Sequence, residues 1–317
     1  MCGVWVAAVG RGLAGARQFA GNARISPDAA FGVNAPAFAI VMAVIDGMGR
    51  IEGPIVATLK LRGPIDRCRL SGPRMQVHDG DTPPMIDKTC DSPETALRGV
   101  PDGATVMIGG FGGAGQPNEL IDALIAQGAR ELTIVNNNAG NGETGLAALL
   151  KTGRVRKIIC SFPRQVDSQV FDGLYRSGKL ELELVPQGNL AERIRAAGAG
   201  IGGFFTPTGY GTELAKGKET REIGGRMHVL ESPIHADVAL IKAERGDRWG
   251  NLVYRKTARN FGPIMATAAR LTVASVHEVV ELGGLDPEHI VTPGIFVQRV
   301  VQVPRSATGP AGFKQAA

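Results

Sequence analysis

The rhythm of apolar and polar positions changes near residue 85. Residues 1–84 show no sustained helix or strand period and end in the polar stretch HDGDTPP. From Met85 onward, short apolar runs alternate with amphipathic stretches, punctuated by glycine and proline. The pattern predicts strands over 105–109, 131–135, 156–160 and 180–185, with helices over 117–128, 145–153, 167–177 and 190–198 between them. Residues 201–223 are glycine-rich and read as loop, and further strands are expected over 237–243, 271–276 and 296–303. Strands that alternate with helices across short loops pair in parallel through right-handed crossovers. The expected fold is therefore α/β, an open and mostly parallel sheet flanked by helices.

Three regions follow: an extension over 1–84 that is non-native or disordered, one α/β domain over 85–305, and a disordered tail over 306–317. The first 26 residues carry arginine and no acid, which is the pattern of a mitochondrial-type presequence. Asp46, Glu52 and Asp66 follow within the same region, however, and 84 residues is long for such a leader. Met85 reads better as the initiator, and no chemistry is assigned ahead of it.

Composition narrows the class only a little. At 317 residues and 44% hydrophobic, the chain can bury a substantial core. Its 44 glycines and 5% aromatics suit an α/β enzyme whose loops bring backbone close to a ligand. The net charge of +5 is uneven: residues 1–84 hold 9 Lys+Arg against 6 Asp+Glu, and the remainder holds 26 against 24. No basic run interleaved with aromatics is present, so a nucleic-acid partner is not expected. Cys2, Cys68, Cys90 and Cys160 form no CxxC pair, and the five histidines lack ligand spacing; neither a metal site nor a disulfide framework is expected. Free thiols fit the cytoplasm, and Cys160, in the run KIIC, reads as a buried strand residue. The longest apolar stretch, 35–45, is too short to span a membrane.

The chemistry concentrates after the first strand of the domain. GFGGAG (110–115) satisfies G-x-G-x-x-G, follows a predicted strand and precedes a helix opening near Pro117. Such a loop lets backbone N–H groups approach an anionic or carbonyl ligand. A nicotinamide site also requires an acid at the end of the second strand, where this chain has Val135 followed by Asn136, Asn137 and Asn138. The oxidoreductase reading loses its second anchor.

The longer string DGATVMIGGFGGAGQP (102–117) resembles the signature of the A subunit of family I 3-oxoacid CoA-transferases, through Asp102, Gly103, Val106, Met107, Ile108, Gly109, Gly110, Phe111, Gly115 and Pro117. NNNAGNGETGLAALL (136–150), CSFPRQ (160–165), PQGNLAERIRAAGAG (186–200), FFTPTGYGTELAKGKETREI (204–223) and YRKTARNFGPIMATAA (254–269) extend the resemblance to about Pro304.

The resemblance implies the CoA-transferase fold and a partner B subunit, in an A2B2 assembly. It further implies transfer of CoA from succinyl-CoA to a 3-oxo acid, with coenzyme A as substrate and no tightly bound cofactor. In this family the nucleophilic glutamate lies in an S-E-N-G motif of the B subunit, and no such motif occurs here. Glu143 of NGETG is the nearest mimic and reads better as a solvated loop acid. What remains for this chain is positioning and electrostatic stabilisation. Ile108, Gly109, Gly110, Phe111, Gly112, Gly113, Ala114 and Gly115 would face CoA, Gln187 would donate to the oxyanion, and Asn137 and Asn138 would bind substrate. Gln187 could instead cap the helix that follows, and the asparagines could satisfy only their own turn. Arg164 is expected to read a distal carboxylate, which 3-oxoadipate has and acetoacetate lacks. An acetoacetate-specific enzyme is the alternative within the class. A sugar-phosphate-sensing regulator is the alternative outside it, but residues 1–84 hold no helix-turn-helix pattern with a basic recognition helix.

Overall fold

The computed structural model describes Ile86–Arg305. The expected extension over 1–84 and the tail over 306–317 lie outside the described residues.

The chain lays down β1 (Thr89–Cys90), α1 (Pro93–Ala96), β2 (Thr105–Ile108), α2 (Asn118–Gln127), β3 (Leu132–Val135), α3 (Leu146–Lys151), β4 (Val155–Cys160), α4 (Gln169–Arg176), β5 (Glu181–Leu184) and α5 (Gln187–Gly198). It continues through β6 (Phe204–Thr206), β7 (Thr220–Ile223), β8 (Arg226–Glu231), β9 (Ala236–Lys242), β10 (Arg245–Asp247), β11 (Leu252–Val253), α6 (Gly262–Ala268), β12 (Ala269–Val276), β13 (Glu278–Val280) and β14 (Arg299–Gln302). Eight strands form one sheet in the order β1-β14-β12-β9-β2-β3-β4-β5, and every pairing in it is parallel.

Alternation along the central strands decides which face each helix covers. Val106, Ile108, Ile134, Ile158 and Cys160 pack with Leu120, Leu124, Leu149 and Phe171 of α2, α3 and α4. Met107, Val135, Ile159 and Ile241 point the other way, onto Leu190 and Ile194 of α5 and Met265 of α6. Both faces are dry, which is why these strands read as unbroken apolar runs.

Asp102 explains why the first motif starts with an acid. Its carboxylate accepts from the Arg130 N–H at 2.7 Å, and the Gly103 N–H donates to the Arg130 carbonyl at 2.8 Å, so the entries to β2 and β3 are stitched together.

The glycine-rich stretch departs from expectation. Residues 201–223 contain β6 and β7, which flank β8 in a three-stranded antiparallel sheet. All four residues of β7 are exposed, so no apolar alternation marks the strand. The sequence pattern does not mark a third small sheet, β11-β10-β13, either, nor α6, which begins at Gly262 with proline following. The last strand is also shorter than the expected 296–303, because Gly294–Phe296 forms a 3-10 turn before β14.

Candidate active site

The order of the large sheet locates its crevice. From β2 the chain moves outward to β3, β4 and β5, and it returns later to place β9 on the opposite side of β2. Strand order therefore reverses at β2 and β9, the position where open parallel sheets bind ligands beyond their C-terminal strand ends. Four loops with candidate chemistry leave neighbouring strand ends on this edge: 109–117 after β2, 136–145 after β3, 161–168 after β4, and the turn into α5 after β5. Adjacent strands lie about 4.8 Å apart, so the groups they carry share one edge.

The loop after β2 is a tight hairpin. Gly109 donates to the Leu240 carbonyl of β9 at 2.8 Å, and Phe111 and Ala114 exchange backbone hydrogen bonds at 3.0 and 3.1 Å. This places Gly112 and Gly113 at the tip, where their N–H groups donate to nothing among the described residues. Gly115 has φ +72°, and a Cβ there would stand 2.4 Å from the Ala258 carbonyl oxygen, so only glycine fits.

The three asparagines after β3 are buried, and they do different work. Asn136 donates through Nδ2 to the Ile108 carbonyl at 2.6 Å and accepts from the Asn138 N–H at 2.8 Å. Asn137 ties β3 to β4: its carbonyl accepts from Ser161 and Phe162, and its side chain meets the Ser161 hydroxyl at 2.7 Å. Asn138 accepts from the Gly140 N–H at 3.0 Å, which fixes the amide so that Nδ2 faces away from that turn. That Nδ2 is a donor without an acceptor among the described residues, on a residue only 2% exposed. Asn137 is 4% exposed, and with its Oδ1 accepting from Ser161 its Nδ2 likewise meets no acceptor among the described residues. An orphaned buried donor costs about 1–3 kcal/mol, which makes Asn137 and Asn138 the members of the trio suited to a ligand.

Gln187 stands in the first turn of α5, exposed, with Pro186 as the preceding cap residue and no side-chain cap hydrogen bond. Its amide has no partner among the described residues, so it does not cap its helix. Arg164 lies in the exposed loop after β4, where its Nε donates to Asp172 of α4 at 2.7 Å and its two terminal nitrogens meet no acceptor among the described residues. Glu143 is exposed and pairs with Lys151 at 2.9 Å, the arrangement of a solvated surface acid.

Around these groups, Phe111, Phe162 and Val166 are exposed large apolar side chains, with Val166 fully open to solvent. Cys160 is buried at the end of β4, and burial pushes its thiol up to about 12, so it is no nucleophile. Among the described residues no cluster of histidine, cysteine or acidic side chains could hold a metal ion, and no helix is long and apolar enough to cross a membrane.

One further residue escapes a reading of the sequence. Asn260, between β11 and α6, contacts the glycine hairpin through both ends of its side-chain amide. Its neighbours in RNFGP belong to the resembling segments, but a partner 150 positions away leaves no local signal.

The family model for coenzyme A transferases matches residues 90–303. The chain belongs to the coenzyme A transferase family. Within it, the A subunit of 3-oxoadipate CoA-transferase from Pseudomonas putida is 72% identical over 223 residues, 70% of this chain and 96% of that protein. The A subunit of a probable succinyl-CoA:3-ketoacid coenzyme A transferase from Bacillus subtilis is 50% identical over 68% of this chain and 90% of its own length. Among solved structures, an acyl-CoA transferase of Escherichia coli O157:H7, in a thioester complex with CoA, superposes with a TM-score of 0.63 at 23% identity. That match covers 73% of this chain and half of the longer E. coli chain, and it supports the fold.

Proposed function

We propose that this chain is the A subunit of a heteromeric transferase that moves CoA from succinyl-CoA to 3-oxoadipate, with its working unit over 85–305. The observation that carries this reading is the 72% identity to the Pseudomonas putida protein over 96% of that protein's length. The unpartnered donors of Gly112, Gly113, Asn137, Asn138 and Gln187 on one sheet edge support it. They suit a thioester whose carbonyl oxygen becomes negative as it is attacked.

In this reading the nucleophile comes from the partner B subunit. Its glutamate carboxylate attacks the thioester carbonyl and releases CoA thiolate, leaving a mixed anhydride. The thiolate then attacks the glutamyl carbonyl, expelling succinate and forming a glutamyl-CoA thioester. The incoming 3-oxo acid runs both steps in reverse, so CoA is transferred without hydrolysis. The exposed Phe111, Phe162 and Val166 on the same edge suit burial under a second chain, which would also exclude water from the anhydride. Coenzyme A enters as substrate, no resident cofactor takes part, and the enzyme works in the cytoplasm.

Arg164 supplies the substrate preference. With Nε held by Asp172, its terminal nitrogens are presented in a fixed plane, suited to a second carboxylate. The reading is tested by initial rates of the reconstituted A–B complex with 3-oxoadipate and acetoacetate. A higher kcat/KM for 3-oxoadipate is expected; a preference for acetoacetate would favour the succinyl-CoA:3-ketoacid activity named for the Bacillus subtilis relative.

A further inference from the structure

Asn260 uses every hydrogen-bonding site of its side chain. Oδ1 accepts from the Gly110 N–H at 3.1 Å and from the Phe261 N–H at 2.7 Å. Nδ2 donates to the Ala114 carbonyl at 2.9 Å and to the Thr257 carbonyl at 2.8 Å. Two acceptor sites and two donor hydrogens are all a primary amide has. A flipped amide would oppose donor to donor and acceptor to acceptor, so the orientation is determined.

The two contacts to the glycine loop fall on either side of its tip. Gly110 precedes the hairpin and Ala114 closes it, so one amide spans both stems of the Phe111–Ala114 turn. The same segment presses on the loop from below, because the Ala258 carbonyl fills the space a Cβ on Gly115 would need. At the tip nothing lies within 4 Å of the Cβ position of Gly112. The hairpin is therefore gripped at its base and free at its tip.

We propose that Asn260 is a positioning residue that sets the aim of the Gly112–Gly113 N–H groups toward the CoA thioester, without touching substrate itself. This rests on the reading of the hairpin as the CoA-facing loop. A side chain from the segment between β11 and α6 thus completes a site whose other parts come from β2 to β5. Asparagine is required because both signs of hydrogen bond are used. Aspartate would keep the bonds to Gly110 and Phe261 but set an oxygen against the Ala114 and Thr257 carbonyls.

The test uses the full chain in complex with its B subunit, with Asn260→Ala and the isosteric Asn260→Asp as variants. Hydrogen exchange reads the clamp directly: the amides of 110–116 should exchange at least about tenfold faster in either variant, while those of β3 and β4 keep their protection. Kinetics read the consequence. KM for succinyl-CoA should rise about tenfold, the scale of one or two lost hydrogen bonds, with KM for the 3-oxo acid unchanged, and Asp should rescue no more than Ala. Unchanged exchange over 110–116 in both variants would overturn the clamp. Faster exchange with a raised KM for the 3-oxo acid alone would leave the clamp standing and overturn the CoA-facing reading of the loop. A general loss of protection in Ala but wild-type behaviour in Asp would show a structural role and also overturn the proposal.

Discussion

The Asn136 side chain donates to the Ile108 carbonyl at 2.6 Å, joining the ends of β2 and β3 at the point where their backbone ladder stops. The same amide caps its own turn through the Asn138 N–H, so a buried polar group, 1% exposed, holds the edge on which the site is built. Asn136→Ala would leave the Ile108 oxygen and the Asn138 N–H unpaired. We expect a loss of about 1–3 kcal/mol in urea unfolding, seen as a lower midpoint at unchanged m-value. A change below about 0.5 kcal/mol, the size of an ordinary surface substitution, would show that the bond is dispensable.

Gln187 should behave in the opposite way. Because its amide meets no hydrogen-bond partner among the described residues and does not cap α5, Gln187→Ala should leave the melting temperature of this chain unchanged. In the A–B complex, kcat should fall about 10²- to 10³-fold, as on removal of an oxyanion donor. Loss of stability at wild-type kcat would return Gln187 to a helix-end role.

Arg164→Ala should lower kcat/KM for 3-oxoadipate about tenfold or more, the scale of a charge-assisted hydrogen bond, and leave acetoacetate turnover unaltered. Competition between the two acids in one reaction measures the ratio directly. An unchanged ratio rules Arg164 out as the carboxylate reader.

Cys160 yields a prediction in pH. Its thiol is raised from 9.0 to about 12 by burial, so the folded state holds the proton more tightly than the unfolded chain. The stabilisation is complete below pH 9 and is lost as pH rises from there toward 12. Native protein near neutral pH should therefore resist alkylation at Cys160 and become reactive there on unfolding, which peptide mass mapping would detect. Rapid labelling of native Cys160 would contradict its burial.

The parts legible in the sequence are those whose burial is two-sided and local. β2, β3 and β4 are visible as apolar runs because both their faces are covered, and the glycine loop is visible because its backbone demands glycine at fixed places. β7 is not visible: its four exposed residues, TREI, carry no alternation, and their pairing with β8 is a tertiary event. The distinct duties of Asn136, Asn137 and Asn138 are hidden as well, because an NNN run states donors and acceptors without saying which of them meet a carbonyl. Asn260 marks the limit most plainly. Its role exists only once the segment between β11 and α6 folds back on a loop 150 positions earlier in the chain.

The division of labour between this chain and its partner is tested most directly by locating the covalent intermediate. The A–B complex is incubated with succinyl-CoA alone, and the intact mass of each polypeptide is measured. A CoA-sized addition, less the water lost in forming the thioester, is expected on the partner chain, with none on this one. The same addition on this chain, at Glu143 or any other acid, would contradict the account.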